Sequence, residues 1–193
     1  MKLTRGRVLV VRHGETEWSL SLQHTGRTDI PLTAHGELQA AALRPRLESW
    51  HPALVLSSPL VRARRTAELA GLEPEIDEGL LEWDYGSYEG RTTDEIRTEL
   101  GDPGWTVWNA TSGLGESADD VGRRAAGVID RVLPLVLDGQ DVALFAHAHL
   151  LRILTAVWLE LPADRGVSFA LQPAGAGVLG FERDSRVLRA WNS

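Results

Sequence analysis

The sequence predicts an α/β fold: one domain built on a mostly parallel sheet, flanked by helices on both faces, with a short cap segment. Three observations predict it. Val8-Leu9-Val10-Val11 and Val142-Ala143-Leu144-Phe145-Ala146 are apolar runs with no polar alternate, the mark of strands buried on both faces. Strand-like runs alternate with amphipathic helical runs along the chain. Each of these two core runs breaks at a corner carrying histidine, Arg12-His13-Gly14 and His147-Ala148-His149. In open α/β sheets the carboxyl edge, where such corners gather, is where ligands bind.

The elements follow in order. After the first strand, Glu17 to Asp29 is polar and broken by Gly26, which reads as a loop with a short helical turn. Thr33 is placed to cap a helix from Ala34 to about Ser49, with Leu38, Ala41, Ala42 and Leu47 on its apolar face. Pro45 should kink it or end it early. Leu54 to Ser58 is a second strand. Pro59 suits the first turn of a helix that runs to Ala70 and stops at Gly71. Pro74-Glu75-Ile76 is a weak third strand. Residues 78–116 form an irregular cap segment apart from a capped helix near Thr92 to Leu100. Ser117 opens a helix to about Val136, and another follows His149 to Leu159. The tail holds strand candidates at Ser168–Leu171, Gly177–Glu182 and Val187–Trp191. The last two read as a hairpin turning at Arg183-Asp184-Ser185. No repeat or linker divides residues 1–193, so one domain is expected.

Hydrophobic content of 43% and charged content of 24% describe an ordinary globular chain of 193 residues. A net charge of −7 argues against nucleic acid or an anionic membrane as partner. There is no cysteine, which excludes disulfides, thiolate metal sites and a cysteine nucleophile. Met1 to Arg7 has no apolar signal core, and the expected location is the cytoplasm.

If the strands are parallel neighbours, three corners converge. They are Arg12-His13-Gly14, Ser58-Pro59-Leu60-Val61-Arg62 and Ala146-His147-Ala148-His149. The resulting pocket has two histidines and at least two arginines. Guanidinium forks match phosphate oxygens. Their charge keeps a neighbouring imidazole neutral, which is its nucleophilic form. Phosphoryl transfer through a histidine nitrogen suits such a pocket.

The chain resembles the histidine phosphatase superfamily, in the branch that includes cofactor-dependent phosphoglycerate mutase. The resemblance rests on Arg12-His13-Gly14-Glu15-Thr16, Thr25-Gly26 with Asp29-Ile30-Pro31-Leu32-Thr33, and Ser58 to Ala63. It continues through Leu81-Glu82-Trp83-Asp84-Tyr85-Gly86, Gly115-Glu116-Ser117 and Ala146-His147-Ala148-His149, in family order. It implies a phosphoglycerate mutase-like fold, His13 as a nucleophile that becomes phosphohistidine, and Glu82 as proton donor. Arg12, Arg62 and His147 would hold the transferring phosphoryl group. No metal or other cofactor is implied, because arginines neutralise the charge. The partner is a small phosphorylated substrate, and members often form homodimers.

Around this set, Ser19 stands where mutases usually carry asparagine, and Thr25 and the backbone of Gly26 are expected to touch substrate. Trp83 and Tyr85 flank Glu82 and are expected to shield it. His149 reads as pocket wall, although a His-x-His pair is also a metal-binding pattern. His24 fits either the pocket mouth or a surface loop. The run Glu82 to Gly90 is similar to branches containing broad-specificity acid phosphatases and sugar-bisphosphate phosphatases. Residues 91–116 hold more acidic than basic side chains, so an anionic cap is expected to disfavour a bisphosphate. The favoured reading is a phosphomonoesterase. A sugar-bisphosphatase, a phosphoglycerate mutase and a non-catalytic phosphometabolite-binding protein stand as alternatives.

Overall fold

The computed structural model describes residues 5–193. Its strands are β1 (Val8–Arg12), β2 (Leu54–Ser57), β3 (Glu75–Ile76), β4 (Val142–Ala146), β5 (Ala176–Glu182) and β6 (Ser185–Trp191). They form one six-stranded sheet in the order β3-β2-β4-β1-β5-β6. The four strands from β3 to β1 are parallel, and β5 and β6 are antiparallel. The predicted mixed α/β sheet is therefore present, with β2, β4 and β1 as adjacent parallel neighbours.

Residues 8–11 of β1 are fully buried because alternate side chains enter two different cores. Val8 and Val10 join Val142, Leu144 and the apolar faces of α6 (Ala118–Leu137) and α7 (Ala148–Trp158). Leu9 and Val11 join Ala143, Phe145, Leu43, Leu47 and Ala67 on the other side. That second side is covered by α2 (Ala34–Ala41), α3 (Leu43–Leu47) and α4 (Val61–Leu69). The uninterrupted apolar run is thus the signature of a strand with no solvent face. No helix of the described residues is long and apolar enough to cross a membrane.

Several elements differ from expectation. The helix predicted from Ala34 to Ser49 is two helices, α2 and α3, joined at Ala42. Pro45 offers no N–H, and its ring crowds the carbonyl of Ala41, so the break falls ahead of the proline. Thr33 caps α2 as predicted, its side chain accepting from the Gly36 N–H. Pro59 is outside α4, whose first residue is Val61. The Val61 N–H donates instead to Asp29 Oδ1 (2.8 Å), a cap supplied from a distant loop. Residues 168–171 are not a strand, since both edges of β5 are already paired. Ala163–Ser168 winds as a 3-10 helix. The carbonyls of Ala170 and Leu171 accept from the side chains of Trp191 and Arg12. The hairpin turns on Arg183 and Asp184 alone, because Ser185 already pairs with Glu182.

The loop after β1 holds the short helix α1 (Glu17–Leu20), capped by Thr16. In the 78–116 segment, α5 (Thr93–Leu100) is capped by Thr92 and closed by the left-handed Gly101.

The corner after β1 is pressed against α2. A Cβ on Gly14 would lie 2.4 Å from the Gly36 carbonyl oxygen, and one on Gly36 would lie 2.1 Å from that of Glu15. Both obstacles are backbone, so neither can step aside. Gly36→Ala is expected to destabilise the fold by about 1–3 kcal/mol, the usual range for overpacking. A urea unfolding midpoint equal to wild type would refute this close approach.

Candidate active site

The site is assembled at the carboxyl ends of β1, β4 and β2. Past β1, the His13 N–H donates to the Ala146 carbonyl (2.9 Å) and its own carbonyl accepts from Ala174 N–H (3.0 Å), so its backbone is fixed. The ring Nδ1 lies 2.7 Å from the Gly14 carbonyl oxygen. A carbonyl can only accept, so the proton sits on Nδ1 and Nε2 carries a lone pair. The Gly14 N–H donates to Thr66 Oγ1 on α4 (3.0 Å), which ties this corner to the next.

The His13 and His147 rings stand 5.2 Å apart. His147 Nδ1 accepts from Arg62 Nε–H (3.2 Å), so its Nε2 is the protonated nitrogen and donates to Ser58 Oγ (2.8 Å). Arg62 has no solvent exposure. Besides His147, its guanidinium donates to the carbonyls of Thr28 (2.8 Å), Thr25 (3.2 Å) and Gly26 (2.9 Å). One of its five N–H groups, on Nη1, is left over. Arg62 and His147 therefore stand behind His13, packed into the loop that carries Thr25.

Glu82 is buried opposite. Its Oε1 accepts from the N–H groups of Trp83 (2.9 Å) and Leu150 (2.9 Å), and Oε2 from that of His149 (3.1 Å). Two of these donors belong to the first turn of α7, so the helix end holds the carboxyl group in place. Below it, Arg124 donates to the carbonyls of Gly79, Leu81 and Glu82 and pairs with Glu116.

A cavity of about 580 Å³ opens above these groups. Arg12, His13 and Glu82 line it, together with Tyr85, His149, Arg152, Ser19, His24 and Thr25. Thr93, Asp94 and Arg97 of α5 border it from above. Arg12 donates through Nη1 to the Leu171 carbonyl (2.6 Å), while its Nε is buried without any partner. Arg12 as a whole lines the cavity, and its buried Nε–H is one donor that the fold leaves unpaired.

Electrostatics separate the groups. Burial first, then the charges of Arg62 and Arg12, holds His13 well below the ordinary value of 6.5. Burial, Arg62 and His13 do the same for His147. Burial lowers Arg12 to about 10, with Glu82 opposing the shift, so it stays cationic at neutral pH. Burial keeps the Tyr85 hydroxyl protonated and His149 neutral. Tyr85 O–H therefore donates to His149 Nδ1, across 2.5 Å. With His147 held by Arg62 and Ser58, the two histidines of the His-x-His pair face different partners. Among the described residues no group of three metal-ligating side chains converges.

The profile described as "Histidine phosphatase superfamily (branch 1)" matches residues 8–193. The chain belongs to that family. It is 41% identical over 192 residues to an acid phosphatase of Mycobacterium tuberculosis, covering 97% of this chain and 93% of that one. It is 35% identical over 188 residues to sedoheptulose 1,7-bisphosphatase of Saccharomyces cerevisiae, covering 82% of this chain and 69% of that one. A solved structure of a Mycobacterium tuberculosis protein superposes with a TM-score of 0.90 at 38% identity, covering 97% of each chain. The protein is thus a phosphatase, a hydrolase of phosphoesters.

In this histidine phosphatase some sequence expectations move. Gly26 is not on the cavity wall. Its N–H donates to Glu89 Oε1 (2.9 Å), and an added Cβ would strike Glu89 and the Trp83 carbonyl. Its role is to let two segments pass closely. Trp83 does not line the cavity itself: it is buried at 1% exposure with its indole N–H on the Glu116 carbonyl, and its ring packs behind the lining residues Tyr85 and His149. Glu82 faces the cavity, while the Trp83 ring packs edge-on against Trp108 in the core. Ser19 reaches the wall, but its hydroxyl is engaged with Thr16 in the cap of α1. Thr25, Tyr85, His149 and His24 line the cavity.

The anionic cap is not present at the mouth. Glu95 caps its own helix, and Glu99 pairs with Arg91. Asp102 closes a turn at Gly104, and Glu116 pairs with Arg124. Of the segment's charged residues only Asp94 and Arg97 border the cavity. Arg152, which sequence reading missed, adds a cation there. It sits three residues after His149 on α7, the helical spacing that shares a face and could have disclosed it.

Burial of neutral His13 and His147 makes stability pH-dependent. Below 6.5 the unfolded chain binds protons that the native rings refuse. The stability is full above that value and is lost as pH falls beneath it. With His149, which burial also keeps neutral, the three rings together are expected to remove about 3–4 kcal/mol between about pH 7 and about pH 5.5, measured by urea unfolding. Equal stability at both pH values would show that these rings take up protons in the fold.

Proposed function

We propose that this histidine phosphatase hydrolyses monoesters of small phosphorylated metabolites through a phosphohistidine on His13. One observation carries the reading: the Gly14 carbonyl fixes the proton on His13 Nδ1, leaving Nε2 free beside Arg12 and opposite Glu82.

In the first step the Nε2 lone pair attacks phosphorus and the ester P–O bond breaks. The leaving oxygen takes a proton from the Glu82 carboxyl. In the second step the Glu82 carboxylate removes a proton from water, whose oxygen attacks phosphorus. The P–N bond breaks, its electrons return to Nε2, and inorganic phosphate leaves. Arg12 offers the unpaired donors nearest the transferring group. Arg62 adds fixed positive potential behind it, and His147, a neutral ring held by Arg62 and Ser58, adds rigidity. A loose phosphoryl transition state requires mainly such positioning and charge. Because the arginines and burial keep His13 neutral well below 6.5, the nucleophile stays competent in mild acid.

His13→Ala is expected to lower turnover of p-nitrophenyl phosphate by at least about 10³-fold. Glu82→Gln is expected to lower kcat/KM for alkyl phosphates by about 10²–10⁴-fold, and less for p-nitrophenyl phosphate, whose leaving group needs little proton help. Retained activity in His13→Ala would reassign the nucleophile. Equal losses on both substrates in Glu82→Gln would remove Glu82 as the acid. Ligand binding with no turnover across a broad panel of phosphomonoesters would favour a binding protein instead.

A further inference from the structure

We infer that Glu89 is a positioning residue for the phosphoryl pocket: its carboxylate grips the backbone of residues 26–28 from the side opposite Arg62, and so fixes the cavity wall that Thr25 supplies. This deepens the proposed reading and rests on it.

Residues 25–28 form neither helix nor strand, so their peptide groups depend on partners from elsewhere. The carbonyls of Thr25, Gly26 and Thr28 accept from Arg62 (3.2, 2.9 and 2.8 Å). The N–H groups of Gly26 and Thr28 both donate to Glu89 Oε1 (2.9 and 3.0 Å). The Thr25–Gly26 peptide group therefore stands between two charges, its C=O on the guanidinium and its N–H on the carboxylate. Hydrogen bonds to ionised groups are about twice as strong as neutral ones, and here they hold one peptide from both ends. Among the described residues Glu89 forms no ion pair, so its carboxylate is committed to these amides.

The surroundings are shaped for this grip. A Cβ on Gly26 would lie 2.5 Å from Glu89 Oε2 and 2.6 Å from the Trp83 carbonyl oxygen, so glycine is what lets the carboxylate come close. The backbone beside Glu89 is zipped to the start of the loop. Gly90 N–H donates to the His24 carbonyl (2.8 Å), and His24 N–H to that of Arg91 (2.8 Å). Those bonds do not involve the Glu89 side chain, so shortening it releases residues 26–28 and leaves the zip in place. Glu82 and Glu89 thus divide the work of one segment. Glu82 serves the leaving group, and Glu89 the wall on the phosphoryl side. Loss of Glu89 is therefore expected to slow every monoester alike, whereas loss of Glu82 discriminates between leaving groups.

The test measures orthovanadate affinity by titration calorimetry, with kcat and KM, in Glu89→Ala and Glu89→Asp. Vanadate adopts the five-coordinate shape of a transferring phosphoryl group. In Glu89→Ala its Kd and the KM are expected to rise about tenfold, and kcat/KM to fall at least as much, by one factor for p-nitrophenyl and alkyl phosphates. Glu89→Asp keeps the charge but falls a methylene short, and is expected to share the loss. Glu89→Gln, whose amide oxygen can accept both N–H groups, is expected to stay within about threefold of wild type. A merely structural role would lower the folded fraction, reducing apparent kcat and binding stoichiometry while Kd and KM stay fixed. Wild-type Kd and KM in either shortened variant, or a Glu89→Gln no better than Glu89→Ala, would overturn the inference. Weakened vanadate binding in Glu89→Ala beside full turnover in His13→Ala would keep the role of Glu89 and sink the His13 reading. An inactive His13→Ala beside unchanged constants in Glu89→Ala would do the reverse.

Discussion

A guanidinium that can never lose its charge lies wholly inside this protein, and the site is arranged around that fact. Arg62 has no solvent exposure, and the fold supplies three carbonyls and a histidine nitrogen as its partners. Removing a partner of such a buried charge typically costs about 3–5 kcal/mol. The carbonyls come from Thr25, Gly26 and Thr28, which fixes the loop that walls the cavity. The nitrogen belongs to His147, which fixes the corner after β4. The same charge, acting with burial and Arg12, keeps His13 neutral. Structural satisfaction of one cation therefore sets both the shape of the pocket and the protonation of its candidate nucleophile.

The sheet explains why these groups meet. β2, β4 and β1 are adjacent and parallel, so Ser58, His147 and His13 leave the sheet at one edge. Thr66 completes the lattice, accepting from Gly14 N–H and donating to the Arg62 carbonyl. Glu82 comes from outside the sheet, and its place depends on the first amides of α7 and on Arg124 beneath. Each candidate group is thus oriented by a second element that has its own reason to be there.

Much of this was legible in the sequence, for physical reasons. An apolar run without alternation can only be a strand buried twice, and β1 and β4 were readable on that ground. Their corners then bring His13 and His147 together without further assumption. Gly26 and Trp83 are not on the cavity wall because closeness along the chain is not closeness in space: Trp83 stands one layer back, behind Tyr85 and His149, and Gly26 lies against Glu89 and the Trp83 carbonyl. Net charge misled for a related reason. It counts Glu95, Glu99, Asp102 and Glu116 without asking where they point, and each is bound to a partner away from the cavity. Arg152 is plain only once α7 is known to begin at Ala148, so that one turn carries it to the same wall as His149.

The account stands on which nitrogen of His13 is free. The most direct measurement is the attachment point of phosphorus in the phosphoenzyme, trapped by rapid quench and resolved by phosphorus–nitrogen NMR. Phosphorus bonded to Nε2 of His13 is the result expected. Phosphorus on Nδ1, or on a carboxylate, would mean that the Gly14 carbonyl does not hold the ring as described, and the account would be contradicted.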